Sequence, residues 1–243
     1  LESQLDDDPR TGALGLMSHL RRAREEVFAN LGLPLPMPRL SVEQNAEPFA
    51  VIVRVREIPV WKSPKPPAGN TVPSPPTPSE IAAACQTALH RHGHRLLDLA
   101  ETQRLLDALE AHKPGLVRQV IPKSITVAQL TEVLRRLVDE QVSIRDLTMI
   151  LEGMASRATA TSDPLELTEV ARTSLRRAIT HMLCAGQPTL GVYTLDPALE
   201  NIVRMGITRT NTGAFLSLGP SATRDIVDSI GIALTRCASS APN

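Results

Sequence analysis

The clearest hydrophobic periodicity in the chain lies between Thr126 and Leu183. Val127, Leu130, Leu134, Leu137 and Val138 recur at helical spacing, which places them on one face. Thr126 with Gln129 forms a capping box in front of that face. Ser143 with Asp146 reads as a second helix start, followed by a stripe of Ile144, Leu147, Leu151 and Met154. Asp163-Pro164 supplies an N-cap and a first-turn proline for a third helix. Its stripe carries Leu167, Val170, Ala171, Ser174, Leu175, Ala178, Ile179 and Met182 in one run. One-sided helices joined by short turns must bury their faces on one another, so a helical bundle is predicted over 113–186.

The pattern differs on either side of this bundle. Leu20, Ala23, Val27 and Phe28 define the inner face of an N-terminal helix whose Arg21, Arg22, Arg24, Glu25 and Glu26 face outward; Gly32 and Pro34 end it. Phe49, Val51, Val53 and Val55 alternate with Ala50, Ile52 and Arg54, a strand pattern that Arg39–Val42 could partner. From Pro59 to Pro78 eight prolines occur. Proline lacks the amide hydrogen and fixes φ, so this stretch predicts a solvated linker; an SH3-type ligand is the sharper alternative. Ser79 then reads as the cap of a helix to Leu97, with another to Leu109 before Lys113-Pro114-Gly115. Beyond Gly186 the pattern predicts a strand Thr189–Leu195, a helix Asp196–Val203, a strand Ala214–Leu218, a helix Pro220–Arg236 and an unstructured tail from Ala238. The expectation is an α+β fold. It has an acidic lead and linker helix (1–26), a mixed N-terminal unit (27–112) interrupted by the proline-rich excursion (59–78), a central helical bundle (113–186) and a C-terminal β-α-β-α unit (187–243).

Composition narrows the possible functions. Basic and acidic side chains balance at 26 each, so the net charge asks for no polyanionic partner. With one Trp, one Tyr and three Phe, the chain is poorly supplied with platforms for stacking bases or sugar rings. Cys85, Cys184 and Cys237 form no C-x-x-C pair and read as small core residues rather than a disulfide framework. No apolar run approaches the roughly 18–20 residues that cross a bilayer. None of the G-x-G-x-x-G, Walker, G-x-S-x-G or H-E-x-x-H motifs occurs, so no enzyme activity and no cofactor are expected. His90 and His94, with Asp98 continuing their row, could share a metal if one helix carried all three. Residues 126–157 outline a helix-turn-helix, but Arg145 stands there beside Asp146 and Glu152, a poor match to a DNA-reading surface.

The charges on the bundle have two readings. Glu132 with Arg136, and Arg135 with Asp139, are spaced for i,i+4 pairs on a solvated face. The same mixed signs suit a contact between protomers. Arg136, Glu140, Arg145 and Asp146 are the candidates for that contact. Arg145 and Asp146 have a second use as a clamp on the preceding turn, with Asp146 at the third helical position.

Val133-Leu134-Arg135-Arg136-Leu137-Val138-Asp139-Glu140-Gln141-Val142-Ser143-Ile144-Arg145-Asp146-Leu147 resembles the V-L-x-x-L-L-x-E-x-V-x-I-R-D-L signature of the large export-gate protein of flagellar and injectisome type III secretion. Other pieces follow in order. Leu31-Gly32-Leu33-Pro34-Leu35-Pro36 is similar to the family's L-G-x-x-L-P, and His92-Gly93-His94-Arg95-Leu96-Leu97 to its H-A-x-E-L-L. Pro114-Gly115-Leu116-Val117 with Val120-Ile121-Pro122 matches its P-x-L-V…V-P, and Tyr193–Glu200 its L-x-P-x-L-E. The resemblance implies a cytosolic module at the inner face of the bacterial inner membrane, attached to a membrane half that is absent from this sequence. It would form a ring of nine copies and receive secretion chaperones, substrates, the gatekeeper and the ATPase stalk protein, without nucleic acid and without chemistry of its own. The sequence departs from the family twice. An additional α/β subdomain is replaced by the proline stretch, and the family's closing strand-helix-strand has no counterpart before Asn243, leaving a sheet edge open. Both departures fit a divergent, reduced or truncated member.

Overall fold

The computed structural model describes residues 13–41, 49–63, 75–157, 163–210 and 213–240. The acidic lead, Val42 and most of the proline stretch lie outside them, including the part that carries the SH3-ligand reading. The chain divides into two compact units, 1–187 and 188–243.

The first unit opens with α1 (Ala13–Leu31). Leu16, Leu20, Ala23, Val27 and Leu31 form its buried stripe, whereas Phe28 is 48% exposed. Its position, one step past Val27, turns it out of the stripe. Gly32, at φ +71°, ends the helix and donates its amide to Phe28 O at 2.8 Å. The next strand is shorter than the alternation predicts: β1 (Ile52–Val55) pairs antiparallel with β2 (Ile58–Lys62), not with residues 39–41. Arg56 and Glu57 both take positive φ, the two-residue hairpin turn that matches strand twist. Pro59 is therefore part of a strand. A two-stranded ribbon is all edge, and an edge tolerates a residue with no amide to donate.

Thr77, not Ser79, caps α2 (Pro78–His92), because Pro78 takes the first helical position and the reciprocal Thr77–Glu80 capping box fixes the start there. A 3-10 turn over Gly93–Leu96 follows, then α3 (Leu99–Glu110), capped by Asp98. Pro114 begins a helix rather than ending one: α4 runs Pro114–Val120. The Thr126–Gln129 box opens α5 (Val127–Asp139), which buries Leu130, Val133, Leu134, Leu137 and Val138. Next come α6 (Leu147–Arg157) and α7 (Pro164–Ser174); Asp163 caps α7 through a 3.0 Å bond from Leu165 N. The long third stripe is interrupted at Leu175, after which α8 (Arg176–Cys184) fully buries no side chain, packs Ile179 against the core and leaves Met182 47% exposed.

Helix α7 packs on both α5 and α6, and α4 packs on α6. Gly153 permits the α6–α7 approach, since a β-carbon there would meet Ser174 Oγ at 2.0 Å. One apolar core runs through α4 to α7 and also takes in Val27, Leu31, Leu33, Leu35, Leu97 and Leu106, so residues on both sides of position 113 share it. A smaller cluster joins Leu16, Leu20 and Ala23 of α1 to Ala82 and Cys85 of α2. Burial raises the Cys85 thiol pKa, as suits a packing residue. Cys184 is half-buried, and Cys237 lies outside the described side chains.

The second unit contains α9 (Pro197–Met205), β3 (Ile207–Thr210), β4 (Gly213–Leu216) and α10 (Pro220–Ser240). β3 and β4 pair antiparallel, from Ile207–Leu216 to Thr210–Gly213. Residues 189–195 join neither sheet, so the predicted leading strand is absent and the order is α-β-β-α. Alternation alone does not make a strand; it needs a neighbour to complete a ladder. Helix α10 also runs past Arg236, where an unstructured tail was expected. The α+β class holds.

Candidate functional site

The family-like block 133–147 meets the family-like turn 31–36 in space. Helix α5 ends in a Schellman motif: Gln141, at φ +61°, donates its amide to Val138 O at 3.0 Å, and Val142 donates to Leu137 O at 2.8 Å. A residue other than glycine in this left-handed conformation needs support, and Gln141 has it. Its Nε2 donates to His90 O at 2.5 Å, and its Oε1 lies 3.2 Å from His90 Nδ1. The chain then runs as a strap along the end of α1. Ile144 donates its amide to Leu31 O at 2.8 Å, and Arg145 Nη1 donates to Ala29 O at 3.1 Å. Asp146 is the cap of α6 and not its third residue, since Oδ1 accepts from Met149 N at 3.0 Å. Ser143 is left out of the helix start, because the strap must stay extended to reach α1.

Arg136 lies on the outer part of α5, and Glu140 is the residue that caps its C-terminal end. Arg136 Nε is 3.0 Å from Glu132 Oε1, the pair expected from spacing. Arg135 does not meet Asp139: its Nε donates to Leu97 O at 2.6 Å, and Asp139 Oδ1 sits 3.0 Å from His94 Nδ1. Glu140 receives both ends of the Arg172 guanidinium, Nε at 2.6 Å and Nη2 to the second oxygen, which ties α5 to α7. Arg172 also holds Glu169, and the hydrogen bond it donates to Glu140 is the main cause of its raised pKa. Sequence spacing missed Arg172 and Gln141. The only local signals were Glu169 three residues before Arg172 and the position of Gln141 just past a helix end.

The structure gives no support to the metal reading or the DNA reading. Helix α2 ends at His92, so His90 and His94 do not share a helical face. Their rings go separately to Gln141 and Asp139, and Asp98 caps α3 while pairing with Arg56 at 2.8 Å. Among the described residues no group of three or more His, Cys, Asp or Glu could hold a metal ion. In the helix-turn-helix reading α6 would be the DNA reader, yet Arg145 is turned onto Ala29 O and the outward side chains of α6 include Met149 and Glu152.

The description of the FHIPEP family matches residues 67–242. The chain belongs to the FHIPEP family. Membership bears out the resemblance carried by Val133–Leu147 to the export-gate proteins of type III secretion. Protein hrpC2 of Xanthomonas euvesicatoria is 28% identical over 85% of this chain and 31% of its own length. Flagellar biosynthesis protein FlhA of Bacillus subtilis is 33% identical over 67% of this chain and 24% of its own. This FHIPEP chain thus spans a third or less of the length of these curated relatives.

The fold is that of the Chlamydia pneumoniae CdsV protein, with a TM-score of 0.81 and 24% identity over 94% of this chain and 78% of that one; CdsV has also been solved in complex with CdsO. The nonameric EscV cytosolic domain from the type III secretion system superposes with a TM-score of 0.74 and 22% identity over 89% of this chain and 76% of that one. Among the described residues no helix is long and apolar enough to cross a membrane.

Proposed function

We propose that this FHIPEP chain is a cytosolic docking module of a type III protein secretion export gate, held at the inner face of the bacterial inner membrane by a membrane half. It assembles with copies of itself, in a nine-membered ring like that of EscV, and receives export substrates, their chaperones, a gatekeeper and a stalk protein of the CdsO kind. The carrying observation is that the fold of a solved ring-forming cytosolic domain extends over 89% of this chain. The character of the surface supports the same reading. The Arg136–Glu132 and Glu140–Arg172 pairs are roughly 30–40% exposed on one outer face, already ordered and of mixed sign. Such a face gives a neighbouring copy register without general stickiness. Arg136 and Glu140 are the proposed self-contact residues. Arg145 and Asp146 work inside the protomer as the clamp that fixes the face relative to α1.

The role is binding rather than catalysis: the ordered polar groups of the bundle converge on backbone carbonyls and helix ends, where they hold the fold. Sedimentation velocity at rising protein concentration tests the assembly. Species heavier than a monomer, weakened by Arg136→Glu together with Glu140→Arg, support the reading; a monomer at every concentration, with no binding to a stalk protein encoded beside it, overturns it.

A further inference from the structure

Helix α10 (Pro220–Ser240) carries a continuous apolar face that the rest of its unit leaves largely open. Ala222, Ile226, Val227, Ile230, Ala233 and Leu234 fall at helical spacing on one side, whereas Arg224, Asp225, Asp228 and Arg236 fall on the other. Val227, Ile230 and Leu234 are exposed, the first and last by 61% and 59%; Ile226 and the two alanines are half-buried. Among the described residues no other element packs closely on α10. A helix of 21 residues that contains Gly231 and several β-branched residues is weak on local propensity alone. Such a helix draws most of its stability from packing of its apolar face.

We infer that this face is a self-association surface, on which α10 of a second copy packs antiparallel with Ile230 at the two-fold axis. The pattern is its own complement in that arrangement. Ile226 lies opposite Leu234 of the second copy, Val227 opposite Ala233, and Ile230 opposite its counterpart, the reciprocal pairing that a two-fold contact requires. The two basic and two acidic side chains of the outer face cancel, so the copies meet without net repulsion. That balance also disfavours a membrane surface as the occupant, since helices that lie on bilayers carry an excess of Lys and Arg with aromatic anchors. Two such 21-residue helices, each about 30 Å long, bury roughly 1,000 Å² in all when they touch along their length, the lower limit of a specific interface. The contact is therefore weak and depends on concentration. It closes at two copies, so it is separate from the head-to-tail contact of a ring through Arg136 and Glu140 and does not rest on that ring.

Sedimentation velocity of the whole chain carrying Arg136→Glu and Glu140→Arg tests the surface apart from the ring contact. The expected result is a monomer–dimer equilibrium within roughly 10–500 μM. Val227→Gln with Leu234→Gln should weaken the dimer at least roughly tenfold, because each copy loses two apolar side chains from the contact. Ile232→Gln, a similar exchange at an exposed position on the opposite face, should leave the dimer unchanged. Glutamine favours helix more than valine does, so the double variant keeps α10. If circular dichroism shows helix lost, Gly231→Ala is added to restore it, since a β-carbon there meets no neighbour. A chain that stays monomeric throughout overturns the inference and leaves the face to a different partner. A dimer that Val227→Gln with Leu234→Gln leaves intact, or that Ile232→Gln weakens equally, overturns it as well. Should the unmodified chain form no ring, the ring reading fails while this measurement still decides the dimer.

Discussion

Arg145 lies directly across Gly32: a β-carbon at Gly32 would come within 2.5 Å of Arg145 Cγ and 2.7 Å of its backbone nitrogen. The two residues belong to separate family-like motifs, and their contact is the point where the strap closes on α1. Gly32 is also at φ +71°, a conformation that costs a residue with a side chain about 1–3 kcal/mol. Gly32→Ala adds a backbone clash to that cost. It should lower the urea midpoint sharply, by more than Arg145→Ala, which removes one exposed hydrogen bond. Equal effects would show that the close approach is unimportant.

Gln141→Ala and Gln141→Gly separate two contributions at the end of α5. Both remove the bonds to His90, but glycine also relieves the left-handed backbone. The alanine variant should therefore be the less stable of the two, by about 1 kcal/mol in denaturant unfolding. A glycine variant no better than alanine would mean that the turn is not held by its local conformation.

The Glu140–Arg172 pair is bidentate but partly exposed, with side chains 41% and 29% accessible. Arg172→Ala should cost no more than about 1 kcal/mol in the isolated chain, because solvent screens such pairs. Its effect on self-association should be larger, since it releases Glu140 from its ordered position. A large loss of monomer stability with unchanged association would reverse the assignment.

Asp98 caps α3 and accepts from Glu101 N; that bond, with Arg56 and Arg104 nearby, holds its pKa below the ordinary 3.8. A carboxylate depressed on folding stabilises at all pH values above the unfolded pKa, and this stabilisation is lost as pH falls through the folded value. Thermal stability should decline below about pH 4, and Asp98→Asn should flatten part of that decline. An unchanged slope in the variant would remove Asp98 from the account.

What the sequence revealed was mostly local. The Thr126–Gln129 box, the Asp163-Pro164 cap and the stripe of α5 are encoded within one or two turns, and the structure places them as read; of the second stripe, Leu147, Leu151 and Met154 lie on α6 while Ile144 belongs to the strap before it. Thr77 displaced Ser79 because a proline behind a cap fixes the helix start more firmly than the cap alone. β2 was hidden by Pro59 and by a hairpin turn made from Arg56 and Glu57, which carry no glycine signal. The region 189–195 shows the reverse, strand texture without a pairing neighbour. Long-range contacts were beyond pattern altogether. Arg145 meets Ala29 across 116 residues, and Arg172 meets Glu140 across 32. Motif resemblance singled out the Ile144-Arg145-Asp146 block, but only the coordinates show that it ties α1 to the bundle.

Assembly is the property from which the docking role follows, and native mass spectrometry of the chain across concentration measures it most directly. The account predicts multimers, with nine copies as the closed form, that weaken when Arg136 and Glu140 are reversed in charge. A strictly monomeric chain at the highest attainable concentration, or multimers indifferent to both reversals, would contradict it.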